Sequence, residues 1–284
     1  MAMIDIHEYS FVVNKMKDFF LSKGFVEVPV QSRLSILAAC EDPETISKFE
    51  FGNIIWPLPQ TGQMWLEYEL LKNPNTFGVF CISTSYRNEP NPIEGRHEEV
   101  FPMFEFESRG GMQDLINLEK QLLKFLGFTN HIKEISYTEA AHHYDTDSLE
   151  AEHETKMTAD FSPITFLTDF PFESHPFWNM KQVDSNIFAK VDVILHGMET
   201  IGSAERSCNA EEMKKNFYGV SNGQYAQKLF DLFGRERVEQ ELEQYLNLSM
   251  MPRFGAGIGV TRMIRAMKME GALKERAALP LQAA

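Results

Sequence analysis

The chain is predicted to be α+β, with a mostly antiparallel sheet. Strand-like runs rich in β-formers interleave with amphipathic helical stretches, and no regular βαβ rhythm connects them. Its 284 residues and 43% hydrophobic content suffice to bury a substantial core. The length suits one large domain or two small ones; no clear linker divides it, and one domain over 1–284 is expected, with its core at about 8–272.

Residues 8–23 place Val12, Met16, Phe19 and Phe20 on one helical face, and Gly24 offers a stop. "FVEVPV" follows as a strand, with Pro29 marking an edge or irregular end. Residues 31–60 read as irregular, around the acidic loop "CEDPETISKFE". Residues 62–72 are expected to be helical, 77–86 and 101–108 to be strands, and 113–127 to be an amphipathic helix ended by glycine. Residues 142–160, polar and rich in His and Glu, read as an exposed excursion. "SPITFLTDFP" and "FAKVDVILHG" read as strands, and Asn209 with Glu212 as a capping box. Helices fill 222–248, and "RFGAGIGV" leads into the helical "TRMIRAMKM".

Composition excludes some classes of function. A net charge of -14 disfavours a polyanion spread over the whole surface. No apolar run approaches the roughly 20 residues of a membrane span, and "MAMIDIHEYS" has no secretory pattern. The three cysteines, Cys40, Cys81 and Cys208, include no C-x-x-C pair. Reduced thiols in a cytoplasmic protein are expected, without a zinc site or a membrane partner.

Two segments carry chemistry. In "SYRNEPNPIEGRHEEVFPMFEFESRG", alternation along a strand puts Phe101, Met103, Glu105 and Glu107 on one face, and Pro102, Phe104 and Phe106 on the other. The second face would enter a core. The first would form the floor of a site that Arg87 reaches from the preceding strand. In "RFGAGIGVTRMIRAM", Gly255, Gly257 and Gly259 alternate before a helix whose first turn holds Arg262. Glycines bare a strand so that something flat can lie on it, and a helix N-terminus favours anions. The spacing is not a dinucleotide fingerprint.

Together these segments resemble the class II aminoacyl-tRNA synthetases. "YRNE…RHEEVF" is similar to the family's motif 2 and "GAGIGVTR" to its motif 3. "LPQTGQMWLEYELL" and "CEDPET" are similar to segments of the asparaginyl enzymes. "FLTDFPFESHPFWNM" and "GMETIGSAERS" are similar to stretches shared with the aspartyl enzymes. The resemblance implies an antiparallel sheet flanked by helices that binds bent ATP with Mg2+. Arg87 would hold the α-phosphate, Phe101 would stack under adenine and Glu89 would contact the adenine end. His97 and Arg262 would meet the γ-phosphate and the ring, over the floor made by Gly257 and Gly259. Glu199 would be a magnesium ligand. Arg206 would read the substrate side chain, with Glu107 towards the amino-acid end, and Gln63 and Glu41 would contact the amino group.

The pattern also departs from the family. No anticodon-binding β-barrel is expected ahead of residue 8, which leaves tRNA a possible rather than a required partner. The proline that ends motif 1 is displaced to Pro29, although a homodimer is still expected. Gly202 stands where a serine often helps hold magnesium, and Ser203 is its neighbour. Leu66 followed by Glu67 replaces the lysine of aspartyl enzymes, which favours asparagine or another uncharged substrate over aspartate. The expected function is ATP-dependent amino acid activation with transfer to tRNA or another acceptor. A tRNA-independent asparagine synthetase and a non-catalytic regulatory paralogue are the alternatives.

Overall fold

The structure is a computed structural model and describes residues 4–30, 36, 43–174, 177–184 and 186–273. Helix α1 (Ile6–Ser22) opens where Asp5 Oδ1 accepts the backbone N–H groups of His7 and Glu8, each at 2.9 Å. It closes before Gly24, whose φ of +85° is left-handed. Along the chain follow β1 (Phe25–Glu27), β2 (Lys48–Phe51), β3 (Ile54–Pro57), α2 (Gln63–Lys72), β4 (Gly78–Tyr86), β5 (Val100–Arg109) and α3 (Met112–Leu126). Then come β6 (Ile132–Ser136), α4 (Tyr137–His143), α5 (Ala151–Asp160), β7 (Ile164–Pro171), β8 (Ile187–Leu195) and β9 (Met198–Glu205). The last elements are α6 (Ala210–Gly219), α7 (Gln224–Phe233), α8 (Arg235–Leu246), β10 (Arg253–Gly259) and α9 (Val260–Glu270).

Eight strands form one sheet in the order β1-β4-β5-β10-β9-β8-β7-β6. Only the outer pairs β1·β4 and β6·β7 are parallel. The fold is therefore α+β with a mostly antiparallel sheet, as the sequence predicts. On one face, Phe104, Phe106, Ile201, Val191, Val193, Phe254, Ala256 and Ile258 bury themselves against α1, α3 and α9. The period of two assigns Phe104 and Phe106 to this core side, while Glu105 and Glu107 face the other way. Helix α2 crosses that opposite face, and α6, α7 and α8 pack beside it around Trp178 and Tyr245.

Some local expectations are corrected. Residues 31–60 contain the β2–β3 hairpin, so the segment is not wholly irregular. Strand β1 stops at Glu27, although the Val28 N–H still reaches Phe80 O at 2.9 Å. The 142–160 stretch is not simply an exposed excursion. It forms α5, which buries Met157 and His153, and His153 Nδ1 accepts the Glu150 N–H at 2.9 Å. One face of a mostly polar helix carries only those two inward residues, too few to give a visible period. Asn209 does cap α6, but Glu212 turns to accept from Ser207 Oγ at 2.9 Å rather than completing a box.

Helix α9 is latched at its end. Glu270 accepts from the Thr129 N–H (2.8 Å) and Asn130 Nδ2 (2.7 Å), and pairs with His196 Nε2 (3.0 Å). Burial alone would raise the pKa of this carboxyl, but the donors outweigh burial and hold it at about 2. A depressed folded value stabilises above the unfolded value of about 4.3 and is lost as pH falls towards 2. Glu270→Gln is expected to cost about 2 kcal/mol at pH 7. In urea titrations at several pH values, the variant's deficit should shrink between pH 4.5 and 2. A deficit that stays constant with pH would refute the latch.

Candidate active site

The middle strands β5, β10 and β9 make the floor. Gly255 lies opposite Glu107 and Ala204, and Gly257 lies opposite Glu105 and Gly202. A Cβ on Gly255 would stand 1.6 Å from Glu107 Oε2 and 2.6 Å from Phe106 O. One on Gly257 would stand 2.8 Å from Met103 Cε. The glycine at 255 thus makes room for a carboxylate of the protein itself, and the open floor runs over Gly257 and Gly259. The Arg262 side chain folds across Gly259.

Arg87 stands at the end of β4, with its guanidinium carbon 5.8 Å from the Phe101 ring centroid. Cation and ring are therefore neighbours across the β4–β5 hairpin. Glu105 beneath them is fully buried. It accepts hydrogen bonds from Thr61 Oγ1, from the Gly62 N–H (2.8 and 3.0 Å) and from Ser83 Oγ (2.5 Å). Burial raises its pKa, against these donors and the charge of Arg87. It ties α2's N-terminal turn to β5. Gln63, the first residue of α2, puts its Nε2 3.7 Å from where a Gly257 Cβ would be.

At the α2 end sits a buried network. Arg206 grips Glu107 through Nε (3.1 Å) and Nη2 (3.3 Å). Arg253 donates to Glu67 Oε2 through Nε (2.9 Å) and to Tyr245 Oη through Nη2 (2.7 Å). Asn179 Nδ2 donates to Glu67 Oε1 at 2.6 Å. Burial pushes Glu107 up, Arg206 opposes it, and the charge of Glu67 adds to the rise. Two carboxylates and two guanidinium groups balance, which is how charges tolerate such burial.

At the other end, Arg262 donates to Glu199 O (2.7 Å) and to Arg96 O (3.2 Å), with the Glu199 carboxylate 3.9 Å away. Glu154 of α5 accepts the Glu199 N–H at 2.8 Å and pairs with Arg96. Glu199 Oε1 and Asp192 Oδ1 lie 2.9 and 3.7 Å from where a Cβ would project on Gly202. Two carboxylates thus converge over a residue without a side chain. Hard oxygen donors suit Mg2+, which keeps waters and takes phosphate oxygens for the rest of its shell. No group of three or more metal-ligating side chains occurs among the described residues. Ser203 does not stand in for Gly202. It lies on the opposite face of β9 and donates to Val191 O at 3.0 Å.

Of the other predicted residues, His97 sits in the β4–β5 loop with Nδ1 accepting the Ile93 N–H at 3.3 Å, and Glu89 is half-buried in the same loop. Glu41 lies outside the described residues. Sequence reasoning gave no role to Asp192, Glu154, Glu67 or Asn179. Asp192 had a signal: with Lys190 it interrupts the apolar run "FAKVDVIL" at alternate positions, on the face that carries the site. Glu154 had none, because its partners come from 58 and 45 residues away.

A family profile described as "tRNA synthetases class II (D, K and N)" matches residues 5–283. The chain belongs to the class II tRNA synthetases. This is a family of ATP-dependent ligases. A lysine–tRNA ligase of Saccharolobus solfataricus is 20% identical, over 95% of this chain and 63% of that protein. Asparaginyl-tRNA synthetase from Pyrococcus horikoshii, complexed with asparaginyl-adenylate, superposes with a TM-score of 0.75. It is 20% identical, over 93% of this chain and 65% of its own. The Entamoeba histolytica aspartyl-tRNA synthetase gives 0.69 at 18% identity, over 92% of this chain and 54% of its own. This class II chain therefore spans less than two thirds of these relatives, and at such identities the superpositions speak for the fold alone.

Proposed function

We propose that the chain activates an amino acid with ATP, forming an aminoacyl adenylate and releasing pyrophosphate. One observation carries the reading: a single floor has a cation over an aromatic ring at one end, Arg262 with paired carboxylates at the other, and a recess beside Arg206 at the side. Phe101 offers adenine a face, and Glu89 contacts its edge. Arg87 neutralises the α-phosphate, while His97 and Arg262 hold the distal phosphates. Glu199 and Asp192 would hold Mg2+, which supplies charge neutralisation for the phosphates. The substrate carboxylate oxygen bonds to the α-phosphorus, the bond from that phosphorus to the bridging oxygen breaks, and pyrophosphate leaves with its electrons. No general base is needed, because the nucleophile is already ionised. Positioning and charge complementarity lower the barrier.

Transfer of the aminoacyl group from the adenylate to tRNA, or to another nucleophile, with AMP as the leaving group, completes the proposal. An asparagine-synthetase reaction using ammonia and a non-catalytic sensing role are its rivals. Amino-acid-dependent exchange of labelled pyrophosphate into ATP tests it, across all standard amino acids with and without Mg2+. Exchange that needs both Mg2+ and one amino acid supports activation. Ammonia-dependent AMP release with aspartate supports the first rival, and no exchange with any amino acid sinks activation.

We also propose a cytoplasmic homodimer. Strand β1 is a sheet edge, and Leu21, Val26, Phe77 and Phe125 are exposed on and beside it. Sedimentation should show a dimer that Val26→Lys shifts towards monomer. A wild-type monomer at assay concentration would reject this arrangement. Among the described residues no helix is long and apolar enough to cross a membrane.

A further inference from the structure

A recess opens beside the floor, lined by Gln63, Glu67, Phe177, Asn179, Met180 and Arg206 among others, with room for roughly one water molecule. It admits one small polar group. Asn179 is fully buried there. Its amide orientation is decided by chemistry. Nδ2 lies 2.6 Å from Glu67 Oε1, and a carboxylate with its charge paired to Arg253 can only accept. Oδ1 is therefore the other end, and among the described residues it has no hydrogen-bond partner. A buried carbonyl oxygen without a donor bears the cost of its desolvation uncompensated.

Charge in the recess is already settled. Arg206 is the only cation among its lining residues, and Glu107 holds it side-on through two N–H groups. The second guanidinium, Arg253, is spent on Glu67. Leu66, the neighbouring α2 residue, is buried with Leu70, Val79 and Cys81 and brings no charge. A substrate carboxylate entering here would add an anion to a balanced set and would face the lone pairs of Asn179 Oδ1.

We propose that Asn179 selects the substrate: its Oδ1 accepts a hydrogen bond from an N–H or O–H at the end of a short, neutral side chain, such as a carboxamide or hydroxyl. A side-chain carboxylate is rejected. This rests on the activation reading and deepens it. The donor supplies what Oδ1 lacks, and the recess needs no added counter-charge. Sites built to hydrogen-bond one group discriminate strongly against analogues that cannot supply it.

The test is pyrophosphate exchange measured as kcat/KM for aspartate, asparagine, serine and threonine, with wild type and Asn179→Leu. Wild type should favour a neutral donor over aspartate by roughly 100-fold or more. Asn179→Leu should raise the KM for that amino acid roughly 10- to 100-fold and leave the KM for ATP unchanged, a split that general loosening of the fold would not produce. Preference for aspartate, or an unchanged amino-acid KM in the variant, overturns the assignment, with Oδ1 then served by a bound water. If Asn179→Leu fails to fold, the wild-type ranking decides alone. No exchange with any amino acid would instead remove the activation reading, and this inference with it.

Discussion

Arg87→Ala is expected to lower amino-acid-dependent pyrophosphate exchange by at least about 10²- to 10³-fold, the usual cost of removing one preorganised group from developing charge. Arg87 lies over the Phe101 ring, so the cation and the proposed adenine platform are placed together. On the proposed reading its loss takes charge from the α-phosphate and leaves that platform without its partner. Arg262→Ala should be comparably damaging, because its side chain also fastens the Arg96 and Glu199 carbonyls. Both losses should appear in kcat, with the circular dichroism spectrum retained. Near-normal exchange in either variant would mean that the floor is not an ATP site.

Glu67→Ala should give the largest loss of stability. Glu67 is the carboxylate shared by Arg253, Tyr245 and Asn179, all of them buried. Removing it strands a buried guanidinium, for which breaking such a pair costs about 3–5 kcal/mol. Arg206 also stands 3.7 Å from Glu67, so the balance that sets its hold on Glu107 is disturbed too. Thermal denaturation should show a fall of roughly 10 °C or more. Glu67→Gln keeps the shape but not the charge, and should recover only part of the loss. A shift of a degree or two for Glu67→Ala would show that Arg253 finds compensation elsewhere.

Much of this was legible in the residues. The alternation in "FPMFEFES" placed Phe104 and Phe106 in the core and the acids on the other face, because period two permits nothing else. The glycine run marked a bared strand leading into a helix, but not its place beside β5. Alternation could not tell whether the acids face solvent or are buried, because α2 arrives from elsewhere in the chain to cover Glu107 and Glu105. Nor could it reveal that Gly255 yields its space to Glu107. The Asp192–Glu199 pair depends on strand register across a bulge in β8–β9. Asn179 depends on partners 112 and 66 residues away. Such long-range contacts leave no local period to read.

The strand order has a consequence for assembly of the sheet. Residues 253–259 fill the slot between β5 and β9, which were made more than a hundred and about fifty residues earlier respectively. Before that strand emerges from the ribosome there is no eight-stranded sheet. There is a three-stranded fragment ending at β5 and a four-stranded one ending at β9, each with an open edge that invites wrong pairing. The strand that closes both edges also carries the glycines of the floor. Nascent chains therefore complete the floor and close both of these open edges in the same event.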